Sequence, residues 1–137
     1  MKRDPRLRGL SSEHHQALVL ARRLEHHETW SEADGRALAA RFAAELEPHF
    51  RVEEELLLPA LRAAGQGELA ARTDHDHAAL RGLVVDAASG DGDAARRLGE
   101  LLTQHVRWEE RELFPACEAH LESAVLDEVA RRAPPPR

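Results

Sequence analysis

His49-Phe50-Arg51-Val52-Glu53-Glu54-Glu55-Leu56-Leu57-Leu58-Pro59 is answered, fifty-six residues later, by His105-Val106-Arg107-Trp108-Glu109-Glu110-Arg111-Glu112-Leu113-Phe114-Pro115. Both stretches read His, apolar, Arg, apolar, Glu, Glu, and both place a proline ten residues after the histidine. A His and a Glu four apart share one face of a helix, with Cβ atoms roughly 5–6 Å apart. Two such groups can reach toward one cation. A single pair arises readily on any charged helix. Two copies with the same flanking residues read as a duplicated metal site.

The rest of the composition narrows what surrounds that site. A length of 137 residues fits one domain. Aromatic residues make up only 4 %, so Leu and Ala must build most of the core. The formal net charge of -6 argues against a nucleic-acid partner, which would call for a basic surface. No run of eighteen apolar residues suggests a membrane span, and no signal-peptide pattern opens the chain. One cysteine, Cys117, excludes an internal disulfide and suits a reducing, cytoplasmic location.

Apolar periodicity predicts an all-α chain. A loose N-terminal arm is expected over residues 1–9, with Ser11 or Ser12 capping a first helix at 12–28. Further helices are expected at 33–61, 68–88 and 93–119, with a short final one at 121–132 and a disordered tail at 133–137. The bundle domain would then span residues 10–132. Pro48 falls inside the second helix, where it removes a hydrogen bond and predicts a kink near Glu45. Pro59 should loosen that helix's last turn. Four long amphipathic segments with short connections predict an up-down-up-down four-helix bundle closed by the short C-terminal helix.

Chain arithmetic brings the histidines level. His14 and His49 lie seventeen and eighteen residues from a first loop centred on Ser31, and His77 and His105 each lie fourteen from Asp91. Antiparallel neighbours rise equally per residue, so each pair should meet across its interface. The middle connection is offset: from Gln66, His77 is eleven residues away, Glu53 thirteen and His49 seventeen. The inward constellation is therefore His14, His49, Glu53, His77, His105 and Glu109. Burying six such groups unpaired would cost several kcal/mol, and a pair of divalent cations offsets that. Mixed imidazole and carboxylate donors suit iron, manganese or zinc. Two ions about 3.5–4 Å apart could share Glu53 and Glu109. Glu13, Thr73, Asp76, Glu54 and Glu110 are expected as neighbours of this set or additional ligands, and Phe50 and Trp108 as lining of a cavity beside it. His15 and His75 are expected to be exposed or peripheral, and His26, His27 and His120 sit at helix ends with no assigned function.

The ferritin-like spacing Glu-x-x-His does not occur on an inward face, and the His-Glu-x-x-His protease motif is absent. Instead Leu10-Ser11-Ser12-Glu13-His14, His49-Phe50-x-x-Glu53-Glu54, Asp76-His77 and His105-x-x-x-Glu109 before Leu113-Phe114-Pro115 resemble the hemerythrin and HHE-domain family over about residues 10–118. That resemblance implies a non-haem centre of two iron ions, carboxylate- and oxo- or hydroxo-bridged, which binds dioxygen, nitric oxide, peroxide or related small ligands. It departs from the oxygen carriers where they have a second His four residues before His77; Thr73 stands there. Their acid on the fourth helix follows the His by five, a position held here by Glu110, whereas Glu109 follows by four. The expectation is a metal- and small-ligand-binding protein that binds or senses dioxygen, nitric oxide or iron. The alternatives are a di-iron oxidase or peroxidase, or an iron store.

Overall fold

Prolines shape the helices that carry the site. In the computed structural model, which describes residues 2–136, the second helix runs without a break from Glu32–Arg41 through Phe42–Leu46, Glu47–Val52, Glu53–Leu57 and Leu58–Ala63. Phe42–Leu46 and Glu53–Leu57 are π-helical turns, as is Glu109–Leu113 in the fourth long helix. Each is centred four residues before a proline: Ala44 before Pro48, Glu55 before Pro59, Arg111 before Pro115. A proline ring would strike that carbonyl and could not donate to it. The chain widens by one residue instead, and Glu47, Leu58 and Phe114 donate back to Phe42, Glu53 and Glu109. The irregularity expected at Glu45 is the first of these turns. The one expected at Pro59 lies earlier, at Glu53–Leu57, and the helix continues to Ala63.

The long helices are α1 (Arg8–Glu25), α2 (residues 32–63), α3 (Gly67–Ala88) and α4 (residues 92–120), followed by α5 (Ser123–Arg132). No strand occurs among the described residues. Helix α1 packs antiparallel on α4, and α3 packs between α2 and α4. This is the expected four-helix bundle. Gly99 makes the α1–α4 approach possible: a Cβ there would lie 2.6 Å from the Ala21 carbonyl. Trp30 donates to the Ala87 carbonyl and ties the first and third loops together.

The N-terminus differs from the loose arm expected. Pro5–Leu7 form a 3₁₀ turn capped by the Asp4 side chain and flow directly into α1, so neither Ser11 nor Ser12 is needed as a cap. Leu7 and Leu10 are fully buried against Leu126 and Val129 of α5, and Arg3 pairs with Glu118 at 2.9 Å. Gly9 lies so close to Ala133 that a Cβ would collide with its carbonyl. Ala133 is accordingly buried, not the start of a disordered tail. Residues 134–136 have no regular structure, and Met1 and Arg137 lie outside the described residues.

Two apolar clusters fill the bundle. Leu20, Leu24, Leu38, Phe42, Leu80, Val84, Leu98 and Leu102 occupy the end near the first and third loops. Leu57, Leu61, Ala70, Trp108, Leu113, Phe114 and Cys117, with Leu7 and Leu126, occupy the other. Between them lies a polar layer. It contains the eight buried polar or charged side chains among the described residues: His14, His49, Glu53, Thr73, Asp76, His77, His105 and Glu109.

Candidate metal centre

The i, i+4 spacing on α2 and α4 acts as the sequence implies. His49 Nε2 lies 3.3 Å from Glu53 Oε2, and His105 Nε2 lies 3.1 Å from Glu109 Oε2. Each carboxylate turns its other oxygen to a different helix. Glu53 Oε1 is 3.1 Å from His77 Nε2 on α3, and Glu109 Oε1 is 2.8 Å from His14 Nε2 on α1. His14 and His49 approach each other at 3.1 Å through their Nε2 atoms. Two groups result, His14–His49–Glu53–Glu109 and Glu53–His77–His105–Glu109, each with its ligand atoms within 4.8 Å of one another. Glu53 and Glu109 belong to both. The offset in the middle connection is resolved because His77 stands level with Glu53, not His49, and the π turn at Glu53–Leu57 takes up an additional residue.

The hydrogen-bond geometry shows what these atoms lack. Both oxygens of Glu53, Oε2 of Glu109, and Nε2 of His77 and His105 are buried without a hydrogen-bond partner, despite their short separations. They point at common positions and not along bonds to one another. Unpaired buried polar groups are rare, and each calls for a cause. A donor set of imidazole nitrogens and carboxylate oxygens fits a cation at each of the two positions.

A carboxylate backs every imidazole on its far side. His14 Nδ1 bonds Glu110 at 2.6 Å, His49 Nδ1 bonds Glu13 at 2.9 Å, His77 Nδ1 bonds Glu54 at 2.6 Å, and His105 Nδ1 bonds Asp76 at 2.9 Å. Such partners take the Nδ1 proton, orient the ring and leave the Nε2 lone pair facing inward. The four acids predicted from the sequence as neighbours of the site thus all meet an imidazole. Glu54 and Glu110, each next to a shared Glu, serve histidines on other helices.

Opposite charges in this layer favour one another's ionised forms. Burial works to lower the His105 value, but the Glu109 charge and the bonds to Asp76 and Glu109 push it up to about 10. Burial is likewise outweighed at His49 by the Glu53 charge and the Glu109 and Glu13 contacts, which hold it well above the usual range. His14 is raised in the same way by Glu109 and Glu110. Burial would raise Glu109, yet the His105 charge and three imidazole contacts hold it well below an ordinary carboxylate. Burial pushes the Cys117 thiol up, which keeps it protonated.

Thr73 is fully buried one turn before His77, but its hydroxyl donates to the Leu69 carbonyl at 2.9 Å, and it joins neither four-residue group. Phe50 stacks on His77 at 3.9 Å and lines a cavity of ≈ 190 Å³ between α1, α2 and α4. His14, His49 and His105 line that cavity with Ala17, Leu20, Leu46, Leu102 and Val106, and Glu13, Gln16, Arg41 and Glu45 also border it. Trp108 does not line it, contrary to expectation; its ring is covered by the Arg72 guanidinium at 4.4 Å. Its amphipathic position put it inward, but on the side of α4 facing the other apolar cluster. His15, His26, His75 and His120 are exposed, while His27 Nε2 donates to the Gly92 carbonyl. The stack of Phe114 on His14, at 5.1 Å and 7°, had no signal in the spacing.

A helical bundle whose buried carboxylates each serve two imidazole pairs is a cation-binding domain. The chain matches the model of the hemerythrin HHE cation binding domain over residues 6–117, and it belongs to that family. No curated protein and no solved structure matches it. No helix among the described residues is long and apolar enough to cross a membrane.

Proposed function

We propose that this chain holds two iron ions and binds or senses a small ligand such as dioxygen or nitric oxide. The observation that carries the reading is the division of the Glu53 and Glu109 oxygens between two histidine pairs, with five of the inward atoms otherwise unpartnered. His14 and His49 would hold one ion, His77 and His105 the other, and the two glutamates would bridge them. Iron bound there would supply redox chemistry. The protein's own part is to orient four Nε2 atoms through Glu110, Glu13, Glu54 and Asp76, and to exclude water with Phe50, Phe114 and the flanking leucines.

The cavity suits a small ligand. Its lining is mostly apolar, though Glu13, Gln16, Arg41 and Glu45 also border it, and it reaches His14, His49 and His105. The site would then work as a binder or sensor in a reducing, cytoplasmic setting. The second reading, an oxidase or peroxidase, draws on Thr73: with its hydroxyl committed to Leu69, the His77–His105 position has two imidazoles and the shared carboxylates only. Manganese or zinc would fit the same donors.

Iron analysis and absorption spectra of the purified protein test the reading. About two iron atoms per chain, with a reversible, stoichiometric spectral change on adding dioxygen or nitric oxide, is the expected result. Sustained consumption of a reductant with oxygen or peroxide selects the oxidase reading. No iron after growth in ample iron, and no uptake by the stripped protein, refutes both.

A further inference from the structure

Two histidines of the centre are held by the same three-part assembly. On α3, His77 bonds Glu54 through Nδ1 at 2.6 Å and lies flat on Phe50, with ring centroids 3.9 Å apart and planes at 12°. Arg81 then touches both supports. Its guanidinium donates to both oxygens of Glu54, at 2.8 and 3.1 Å, and sits 5.4 Å over the Phe50 ring. It also grips Glu47 at 2.6 and 3.1 Å, which anchors it to α2. On α1, His14 bonds Glu110 at 2.6 Å and lies flat on Phe114, at 7°. Arg3 donates to the Glu110 backbone carbonyl at 2.7 Å and to its side chain at 3.4 Å, bonds Glu118 at 2.9 Å, and sits 5.4 Å over Phe114.

Inheritance from the repeated motif does not account for the match. Glu54 and Glu110 occupy corresponding places in the two copies of the motif, but the other parts do not. Phe50 follows His49 directly, and the corresponding residue after His105 is Val106. Phe114 corresponds to Leu58. Arg81 lies four residues after His77, whereas Arg3 lies eleven before His14. The same stack of arginine on phenylalanine on imidazole is thus built from unrelated positions. The other two histidines are held less closely. Glu13 behind His49 is about half exposed and pairs with no arginine among the described residues. At His105, Arg72 stands 3.8 Å from Asp76 and 4.4 Å over Trp108, whose ring lies 6.3 Å from His105 and tilted at 33°, not stacked on it.

We infer that Arg81 and Arg3 are positioning residues of the metal centre: each fixes one imidazole, His77 or His14, by holding its carboxylate partner and the aromatic ring beneath it together. The guanidinium shape matters as well as its charge. A planar fork can meet two carboxylates and lie over a ring at once, and an ammonium cannot. This inference rests on the dinuclear reading above.

Metal-stripped protein titrated with cobalt(II), followed by its visible absorption and by calorimetry, tests it. Wild type is expected to take two equivalents. Arg81→Gln should weaken one of them by about 10–100-fold, the range found when partners of metal-bound histidines are removed, and leave the other within about twofold. Arg81→Lys should restore little of the loss. Arg3→Gln should weaken the opposite equivalent, so that the double variant weakens both. Two unchanged equivalents in Arg81→Gln overturn the inference. So does equal weakening of both in step with a lower melting temperature of the stripped protein, which would mark a structural role. Full recovery in Arg81→Lys overturns the fork. If Arg81→Gln does not fold, Arg81→Lys carries the test, because it keeps the charge and removes the shape. A wild type that takes no cobalt refutes the dinuclear reading itself.

Discussion

Replacing Glu53 by methionine asks whether the polar layer is built around cations or is a packed network in its own right. Glu53 is fully buried, and neither of its oxygens has a hydrogen-bond partner. Leaving a buried polar group unpaired costs about 1–3 kcal/mol, and more when it is charged. Removing one member of a buried pair alone, however, strands the other charge and costs about 3–5 kcal/mol, and the Glu53 charge is what raises His49 most. Methionine keeps the unbranched reach without the oxygens. For 137 residues the unfolding entropy is about 0.3 kcal/mol/K, so a net loss of about 2 kcal/mol, the stranded charge less the relief, corresponds to about 7 °C. Stripped Glu53→Met should therefore melt about that much below stripped wild type. With free cation a hundredfold above its Kd, each occupied site adds about 2.7 kcal/mol to wild type, roughly 9 °C. The variant lacks a carboxylate common to both positions and should gain little. The deficit of the variant should be wider with added metal than with chelator, by about 9 °C for each site filled, as read by calorimetry or far-UV dichroism. A variant that melts below wild type by the same margin in both conditions would show that Glu53 is satisfied as it stands, and the argument for a cation would fail.

The stabilisation by metal should also grow with pH. The folded values of His14, His49 and His105 lie above the ordinary one. Their contribution to the stripped protein is therefore complete below about pH 6.5 and is lost as pH rises, at His105 through about 10. Glu109 is depressed, so its contribution is lost only as pH falls below the usual carboxylate range. Metal replaces the imidazole protons, so the gap between loaded and stripped melting temperatures should widen from pH 6 to 9; a constant gap would contradict this. Thr73→His should place a third imidazole beside His77 and slow loss of one cation to a chelator by about tenfold or more, within the range that such ligand-shell changes produce; an unchanged rate would mean the ring does not reach. Gly99→Ala should push α1 from α4, since its Cβ would lie 2.6 Å from the Ala21 carbonyl. The expected loss is about 1–3 kcal/mol, with weaker metal retention because His14 and Glu109 face each other across that interface. Unaltered melting would show that the two helices can slide apart freely.

Much of this protein is determined locally. Apolar residues at helical spacing delimit four long helices and a short fifth, and short loops make neighbours antiparallel. The placement of His49 with Glu53, and of His105 with Glu109, follows from one turn of helix, which no tertiary contact need decide. The level of His14 with His49 follows from equal rise on either side of a loop. The tertiary structure decided what depends on side-chain direction and on contacts between distant segments. It turned one oxygen of Glu53 to His49 and the other to His77, and it gave Glu54 and Glu110 to histidines on other helices. It ordered residues 3–9, because Leu7 and Leu10 are covered by a helix more than a hundred residues away in the chain. It placed Phe114 under His14 and Arg3 over Phe114, a contact between the first residues and the fourth helix that no period in the sequence encodes. The π turns stand between the two: each is set by a proline in the sequence, but widening the helix instead of breaking it is favoured by the packed layers on either side, which keep the rod continuous.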